Sequence, residues 1–150
     1  DGIFLSNGPG DPFATAKYAL KTIQDILATK IPLLGICMGH QLLSLAGGLK
    51  TVKMAQGHRG SNHPVLNHEA KTVEITSQNH GFCVVNDNIP QNIEVTHTSL
   101  FDQSIEGIAF LDRPAFSVQY HPESSPGPHD SHYIFEKFMK LIKDHQKLTS

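Results

Sequence analysis

The stretch that most constrains this chain is Gly35-Ile36-Cys37-Met38-Gly39. It follows the apolar run Ile31 to Ile36 and precedes the helical pattern Gln41 to Ala46. A cysteine between two glycines at a strand-to-helix step is the sequence form of a nucleophile elbow, with sulfur in place of the usual serine oxygen. So tight a turn drives the cysteine into strained backbone angles and crowds its neighbours. Glycine on either side removes the Cβ atoms that would clash. The thiol then sits at the N-terminus of a helix beginning near Gly39, where backbone N–H groups and the positive dipole end favour the thiolate. A lone cysteine is more often a small buried hydrophobe. The spacing is what turns the balance toward chemistry.

A cysteine nucleophile needs a base, and the base an orienter. His121-Pro122-Glu123 follows the apolar run Ala115 to Tyr120, which reads as a strand. In extended backbone, residues two apart point to one side. A carboxylate bonded to one imidazole nitrogen sets the tautomer and leaves the other nitrogen to take a proton. Alone, His-Pro-Glu is an ordinary polar loop after a strand; with the elbow it becomes the natural partner. A third run, Asn7-Gly8-Pro9-Gly10-Asp11-Pro12, follows Ile3-Phe4-Leu5. Its prolines stiffen the loop and its glycines permit close approach of backbone to ligand. It has neither phosphate-binding glycine spacing, so nucleotide binding is not expected.

The coarse pattern is α/β. Gly2 to Ser6 reads as a buried strand, Ala14 to Ala28 as a helix, Pro32 to Ile36 as a buried strand, and Gln41 to Ala46 as a helix stopped by Gly47-Gly48. Short strands follow at Lys50 to Met54, Val65 to Asn67, Thr72 to Ser77, Phe82 to Val85, Glu94 to Thr98, Gly107 to Phe110 and Ala115 to Tyr120. Asp130 to His145 reads as an amphipathic helix with Ile134, Phe135, Phe138, Met139, Leu141 and Ile142 inward. The opening alternation implies a parallel sheet with right-handed crossovers, whose site lies at the carboxyl ends of the strands. With 12 basic and 14 acidic residues the net charge is −2, no basis for binding nucleic acid or an anionic membrane. No apolar run approaches the length of a membrane span. Ten histidines are scattered without metal-ligand spacing, so no metal is expected. His40, His58, His63, His68, His80 and His97 read as loop or pocket residues, and Cys83 as a buried strand residue.

Leu34 to Gln41 together with His121-Pro122-Glu123 resembles the class I (triad) glutamine amidotransferase domain. Four further runs narrow the likeness: Asp1 to Pro12, Gly57 to Pro64, Ser77 to Phe82, and Ser125 to Asp130. They resemble the C-terminal part of the small, glutamine-hydrolysing chains of carbamoyl-phosphate synthetases. The resemblance implies a flavodoxin-like, mostly parallel sheet flanked by helices, with an added antiparallel region. It implies Cys37 as nucleophile, His121 as general base and then acid, and Glu123 as its orienter. The backbone N–H groups of Met38 and Gly10 would form the oxyanion hole, with Gly8 shaping that loop. Gln41, Asn79, Gly81 and Phe82 match positions that line the glutamine pocket.

The implied reaction is hydrolysis of the side-chain amide of L-glutamine through a thioester. Ammonia would pass to a synthetase large subunit making carbamoyl phosphate for pyrimidine and arginine biosynthesis, in the cytoplasm. No cofactor is expected on this chain, ATP and bicarbonate belonging to the partner subunit. Residues 1–150 are expected to form one amidotransferase domain lacking the family's N-terminal strands. Ile3, Phe4 and Leu5 would then lie on an unpaired apolar edge that weakens the chain in isolation. Another cysteine hydrolase of the same fold, or a non-catalytic interaction domain, are the alternatives.

Overall fold

A computed structural model describes residues 2–5, 12–122 and 133–149. Elements run β1 (Ile3–Leu5), α1 (Pro12–Thr29), β2 (Leu33–Ile36), α2 (Met38–Ala46), β3 (Thr51–Asn67), β4 (Thr72–Val84), β5 (Ile93–Ser99), β6 (Ile105–Phe110), β7 (Ala115–Val118) and α3 (Tyr133–Thr149). All belong to one α/β architecture, a seven-stranded sheet in the order β1-β2-β7-β6-β4-β3-β5. β1, β2 and β7 are parallel, and every other pairing is antiparallel.

The parallel half is layered. β2 is buried along its whole length, as expected of a strand covered on both faces. Its alternate residues serve different cores. Leu33 packs with Ile23 and Leu27 of α1 and with Leu42 and Leu43 of α2. Leu34 and Ile36 pack with Phe116, Val118 and Tyr120 and with Ile134 and Phe138 of α3. Burying one such side chain contributes roughly 1.5–3 kcal/mol, so these two clusters hold α1 and α2 on one face and α3 on the other.

The antiparallel half closes on itself. β3 pairs with β4 and β5, β5 with β6, and β6 returns to β4 through Val84 and Ile105. Here the sequence reading needs correcting. The runs Lys50 to Met54 and Val65 to Asn67 are parts of one strand, β3, and Thr72 to Ser77 and Phe82 to Val85 are parts of β4. The intervening residues stay extended but bulged, with register shifts between Lys53 and His58 and between Gly60 and His63. Gly57 (φ 56°) and Gly60 (φ 119°) adopt the left-handed region there.

Of the histidines read as loop or pocket residues, His68 lies in the turn after β3 and His58 and His63 line a cleft; His58, His63, His80 and His97 sit on strands and His40 on α2. Cys83 is on β4 but only half-buried, and it is not disulfide-bonded. Met139 is 53% exposed. It lies five residues beyond Ile134, which turns it about 140° off the stripe through Ile134, Phe138 and Ile142. β1 is an edge strand, with Phe4 46% exposed while Ile3 and Leu5 pack against the core.

Candidate active site

Cys37 occupies the step from β2 to α2 with φ 54° and ψ −108°. Non-glycine residues pay for such angles in strain, and strained residues cluster at functional sites. The two glycines beside it are required by contact. A Cβ on Gly35 would stand 2.6 Å from the Gly39 carbonyl oxygen, and a Cβ on Gly39 would stand 2.1 Å from the Leu5 carbonyl oxygen. The elbow is therefore wedged between β1 and its own helix. α2 begins at Met38, whose side chain is buried, so the free first-turn N–H groups of the helix follow Cys37 directly in the chain.

β2 and β7 run parallel with Gly35 opposite Ser117 and Ile36 opposite Val118. The Cys37 N–H donates to the Val118 carbonyl at 3.0 Å, carrying the ladder one residue beyond the strands. His121 follows three residues later at the same sheet end, and its N–H donates to the Ser77 carbonyl at 2.9 Å. β4 thus tethers the chain around both residues, because the Cys37 thiol points to the Asn79 carbonyl, Sγ to O 3.9 Å. His121 is not in extended strand, since β7 ends at Val118.

Of the residues named from sequence, Cys37, Met38, Gln41, Asn79 and Phe82 converge on this end of the sheet. Gln41 Nε2 donates to the Phe82 carbonyl at 2.8 Å and to Gln119 Oε1 at 2.9 Å. Gly81 lies between Asn79 and Phe82 on β4. Gly8, Gly10 and Glu123 lie outside the described residues.

Two histidines near the site are kept neutral. Burial pushes His40 down to about 3, while its Nδ1 lies 2.7 Å from Ser117 Oγ. Burial also lowers His80 to about 4, against the pull of the Phe82 carbonyl, which His80 Nδ1 meets at 2.8 Å. Neither adds a competing cation at neutral pH.

The sequence reading missed a polar core beneath the pocket. His58 Nε2 meets Asp102 at 2.8 Å, and its Nδ1 lies 3.0 Å from Gln78 Oε1 and 3.3 Å from Glu106. The Glu106 carboxylate at ion-pair distance, with the charge of Asp102, raises His58 to about 9 despite burial. Burial pushes the fully enclosed Glu106 up to about 7, against the opposing effect of His58. His58, His80 and Glu106 bring ligand atoms within 4.8 Å of one another. Such a grouping across three strands has no sequence spacing to reveal it. At neutral pH, however, the protonated His58 presents N–H groups there rather than lone pairs. A cleft of ≈ 680 Å³ beside it is lined by Gly57, His58, His63, Cys83, Phe101 and Asp102 among others, and among the described residues it takes in none of Cys37, Met38, Gln41, Asn79, Gly81, Phe82 and His121.

A parallel sheet end carrying a cysteine elbow and a histidine defines a class, and the family comparison agrees with it. The model of class-I glutamine amidotransferases matches residues 1–141, and the chain belongs to that family. Among curated proteins it is similar to carbamoyl phosphate synthase small chains. It is 58% identical over 147 residues to that of Bartonella quintana, covering 98% of this chain and 37% of the relative. To that of Zymomonas mobilis it is 61% identical over 142 residues, covering 95% and 38%. To that of Mesorhizobium japonicum it is 61% identical over 144 residues, covering 96% and 36%. The chain thus spans little more than a third of the length of these relatives.

Solved structures agree on the fold. A Thermoplasma acidophilum protein described as a candidate GMP synthase component superposes with TM-score 0.80 at 22% identity, over 99% of this chain and 75% of that one. A glutamine amidotransferase from Thermotoga maritima gives 0.67 at 20% identity, over 97% and 64%.

Proposed function

We propose that this chain hydrolyses the side-chain amide of L-glutamine, with Cys37 as nucleophile and His121 as proton carrier. The Cys37 thiolate attacks the amide carbon, and a tetrahedral oxyanion forms against the Met38 N–H at the start of α2. His121 gives the departing nitrogen a proton, so that ammonia leaves and a γ-glutamyl thioester remains. Water, deprotonated by His121, then attacks the thioester. Glutamate leaves and the thiol is restored. Gly10 would supply the second oxyanion N–H with Gly8 shaping its loop, and Glu123 would orient His121. Gln41, Asn79, Gly81 and Phe82 would line the glutamine pocket.

The similarity to carbamoyl phosphate synthase small chains supports passage of ammonia to a synthetase large subunit for carbamoyl phosphate. ATP and bicarbonate would act on that partner, with no cofactor on this chain. Among the described residues no helix is long and apolar enough to cross a membrane. Two cysteines outside any disulfide fit a reducing, cytoplasmic setting.

The observation that carries the reading is Cys37 held at φ 54° on the β2–α2 step, at the sheet end that His121 also occupies. The test is glutamate and ammonia release by the full chain, with and without a synthetase large subunit. Absence of glutamine hydrolysis in both cases refutes the reading. Hydrolysis that the large subunit leaves unchanged refutes the proposed coupling alone.

A further inference from the structure

The geometry points to Gln119 as the residue that positions the Cys37 sulfur and stabilises its thiolate. This rests on Cys37 being the nucleophile proposed above. Gln119 is polar, 0% exposed, and placed just beyond β7. Its backbone is fixed, with the N–H donating to the Glu106 carbonyl at 2.7 Å.

A buried amide has to have both ends satisfied, and the neighbours decide which end faces which way. Gln41 Nε2 carries two hydrogens. One goes to the Phe82 carbonyl at 2.8 Å, a backbone acceptor whose identity is beyond question. The other goes to Gln119 at 2.9 Å. The atom of Gln119 facing Gln41 must therefore be its oxygen, which turns its Nε2 toward Cys37 Sγ, 3.7 Å away. The usual oxygen–nitrogen ambiguity of an amide is removed by this chain of partners.

Sulfur is a weak acceptor as a thiol and a much stronger one as a thiolate, because hydrogen bonds to ionised groups are stronger. The contact with Nε2 thus favours the ionised form. The opposite contact, from the thiol to the Asn79 carbonyl at 3.9 Å, serves only the protonated form. On ionisation the sulfur gives up the Asn79 contact and keeps Gln119. The same amide pair links the nucleophile to Gln41, so a shift in the pocket wall is felt at the sulfur.

The test uses Gln119→Met, which keeps the volume and removes the donor, and Gln119→Glu, which puts a carboxylate in its place. Both are made in the full chain. Alkylation of Cys37 by iodoacetamide is followed against pH by mass spectrometry of the Cys37 peptide. Cys83, whose thiol burial pushes up to about 11, is then scored separately.

Gln119→Met is expected to raise the apparent Cys37 pKa by about one unit, an approximately tenfold loss of thiolate at neutral pH. Glutamine turnover falls in proportion, with KM changed less than about threefold. Gln119→Glu shifts the profile further, since like charges then face each other. Alkylation profiles of both variants that coincide with the wild type overturn the proposal, whatever happens to melting temperature. If neither variant folds, Gln41→Met decides: it releases the Gln119 amide, and an unchanged Cys37 profile there overturns the proposal as well. A wild-type chain without glutaminase activity would remove the functional reading, while the alkylation arm still judges Gln119.

Discussion

Gly39→Ala sets two effects of opposite sign against each other. Gly39 is the second residue of α2, and alanine is the better helix former by about 0.8–1 kcal/mol. Propensity alone predicts a more stable protein. The structure predicts the reverse. The new Cβ would stand 2.1 Å from the Leu5 carbonyl oxygen and 2.7 Å from the Leu5 carbonyl carbon and Cβ. Carbon and oxygen ordinarily approach no closer than about 3.3 Å, so a gap of roughly 1.2 Å must open. Leu5 cannot simply retreat, because β1 is paired with β2 through Leu5 and Gly35, at the base of the same elbow. Overpacking costs typically 1–3 kcal/mol, and a clash between two backbones belongs at or above the top of that range. After the propensity gain, about 2 kcal/mol of net destabilisation remains. For a domain near 150 residues that lowers Tm by roughly 4–8 °C. A displacement of about 1 Å at Cys37, the proposed nucleophile, should also cost on the order of 100-fold in turnover. Calorimetry and a glutaminase assay measure the two effects. Gly48→Ala is the control: its φ of 100° strains alanine, but among the described residues its Cβ meets only Pro90 at 3.7 Å. That variant should lose about 1–2 kcal/mol and keep full turnover. A Gly39→Ala protein that melts higher than the wild type with unchanged turnover refutes the steric argument.

Cys37→Ala should lower glutamine hydrolysis by roughly 10⁴-fold or more in steady-state assays while leaving the circular dichroism spectrum intact. Raising the pH from 6.5 past 9 should weaken the fold, because His58, raised to about 9, contributes its stability below its unfolded value and loses it as pH climbs through the folded one. The loss, on the order of 2–3 kcal/mol in urea titrations, should flatten in Glu106→Gln. Glu74→Gln should cost about 1–3 kcal/mol by urea denaturation, since the carboxylate accepts from Tyr120 at 2.9 Å, Tyr133 at 2.5 Å and Asn67 at 2.9 Å. Burial opposes the Glu74 charge, but His97 and Tyr133 outweigh it and hold the carboxyl below its ordinary range. Its contribution is therefore present above the unfolded value and fades only as pH falls through the lower folded one, so Glu74→Gln should flatten the acid limb of the stability curve.

The parallel half of the fold was legible because its cues are local. An apolar run, two glycines around a cysteine and a helical period each act within a few residues, and β2, α2 and the elbow stand where those cues put them. The antiparallel half was not legible in the same way. Strand recognition relied on apolar alternation, but the inward positions of β4 are Glu74, Thr76, Gln78 and His80, all buried and polar. They face His58, Glu106, Tyr120 and Tyr133 rather than an apolar core, so the pattern showed gaps where the strand continues. Gln119 was hidden for a related reason. Placed inside the run Ala115 to Tyr120 that reads as a strand, it has no motif of its own, and its meaning comes from Gln41, 78 positions away.

The two halves meet at the site, and that meeting explains why the polar core lies where it does. The elbow fixes the backbone of Cys37, yet two contacts to its sulfur come from Asn79 and Gln119, outside the elbow. Asn79 lies on β4, directly between Gln78 and His80, whose side chains enter the polar core. Gln119 hangs by its N–H from Glu106, whose carboxylate faces His58. An apolar core beneath β4 would pack these segments without fixing their orientation about the strand axis. Hydrogen bonds from His58 to Gln78 Oε1, and from His80 to the Phe82 carbonyl, fix it. Loss of the His58 charge should therefore be felt at the sulfur as well as in stability, and the Cys37 alkylation profile of His58→Gln is the measurement that separates the two. A changed melting temperature with an unchanged profile would confine the polar core to folding.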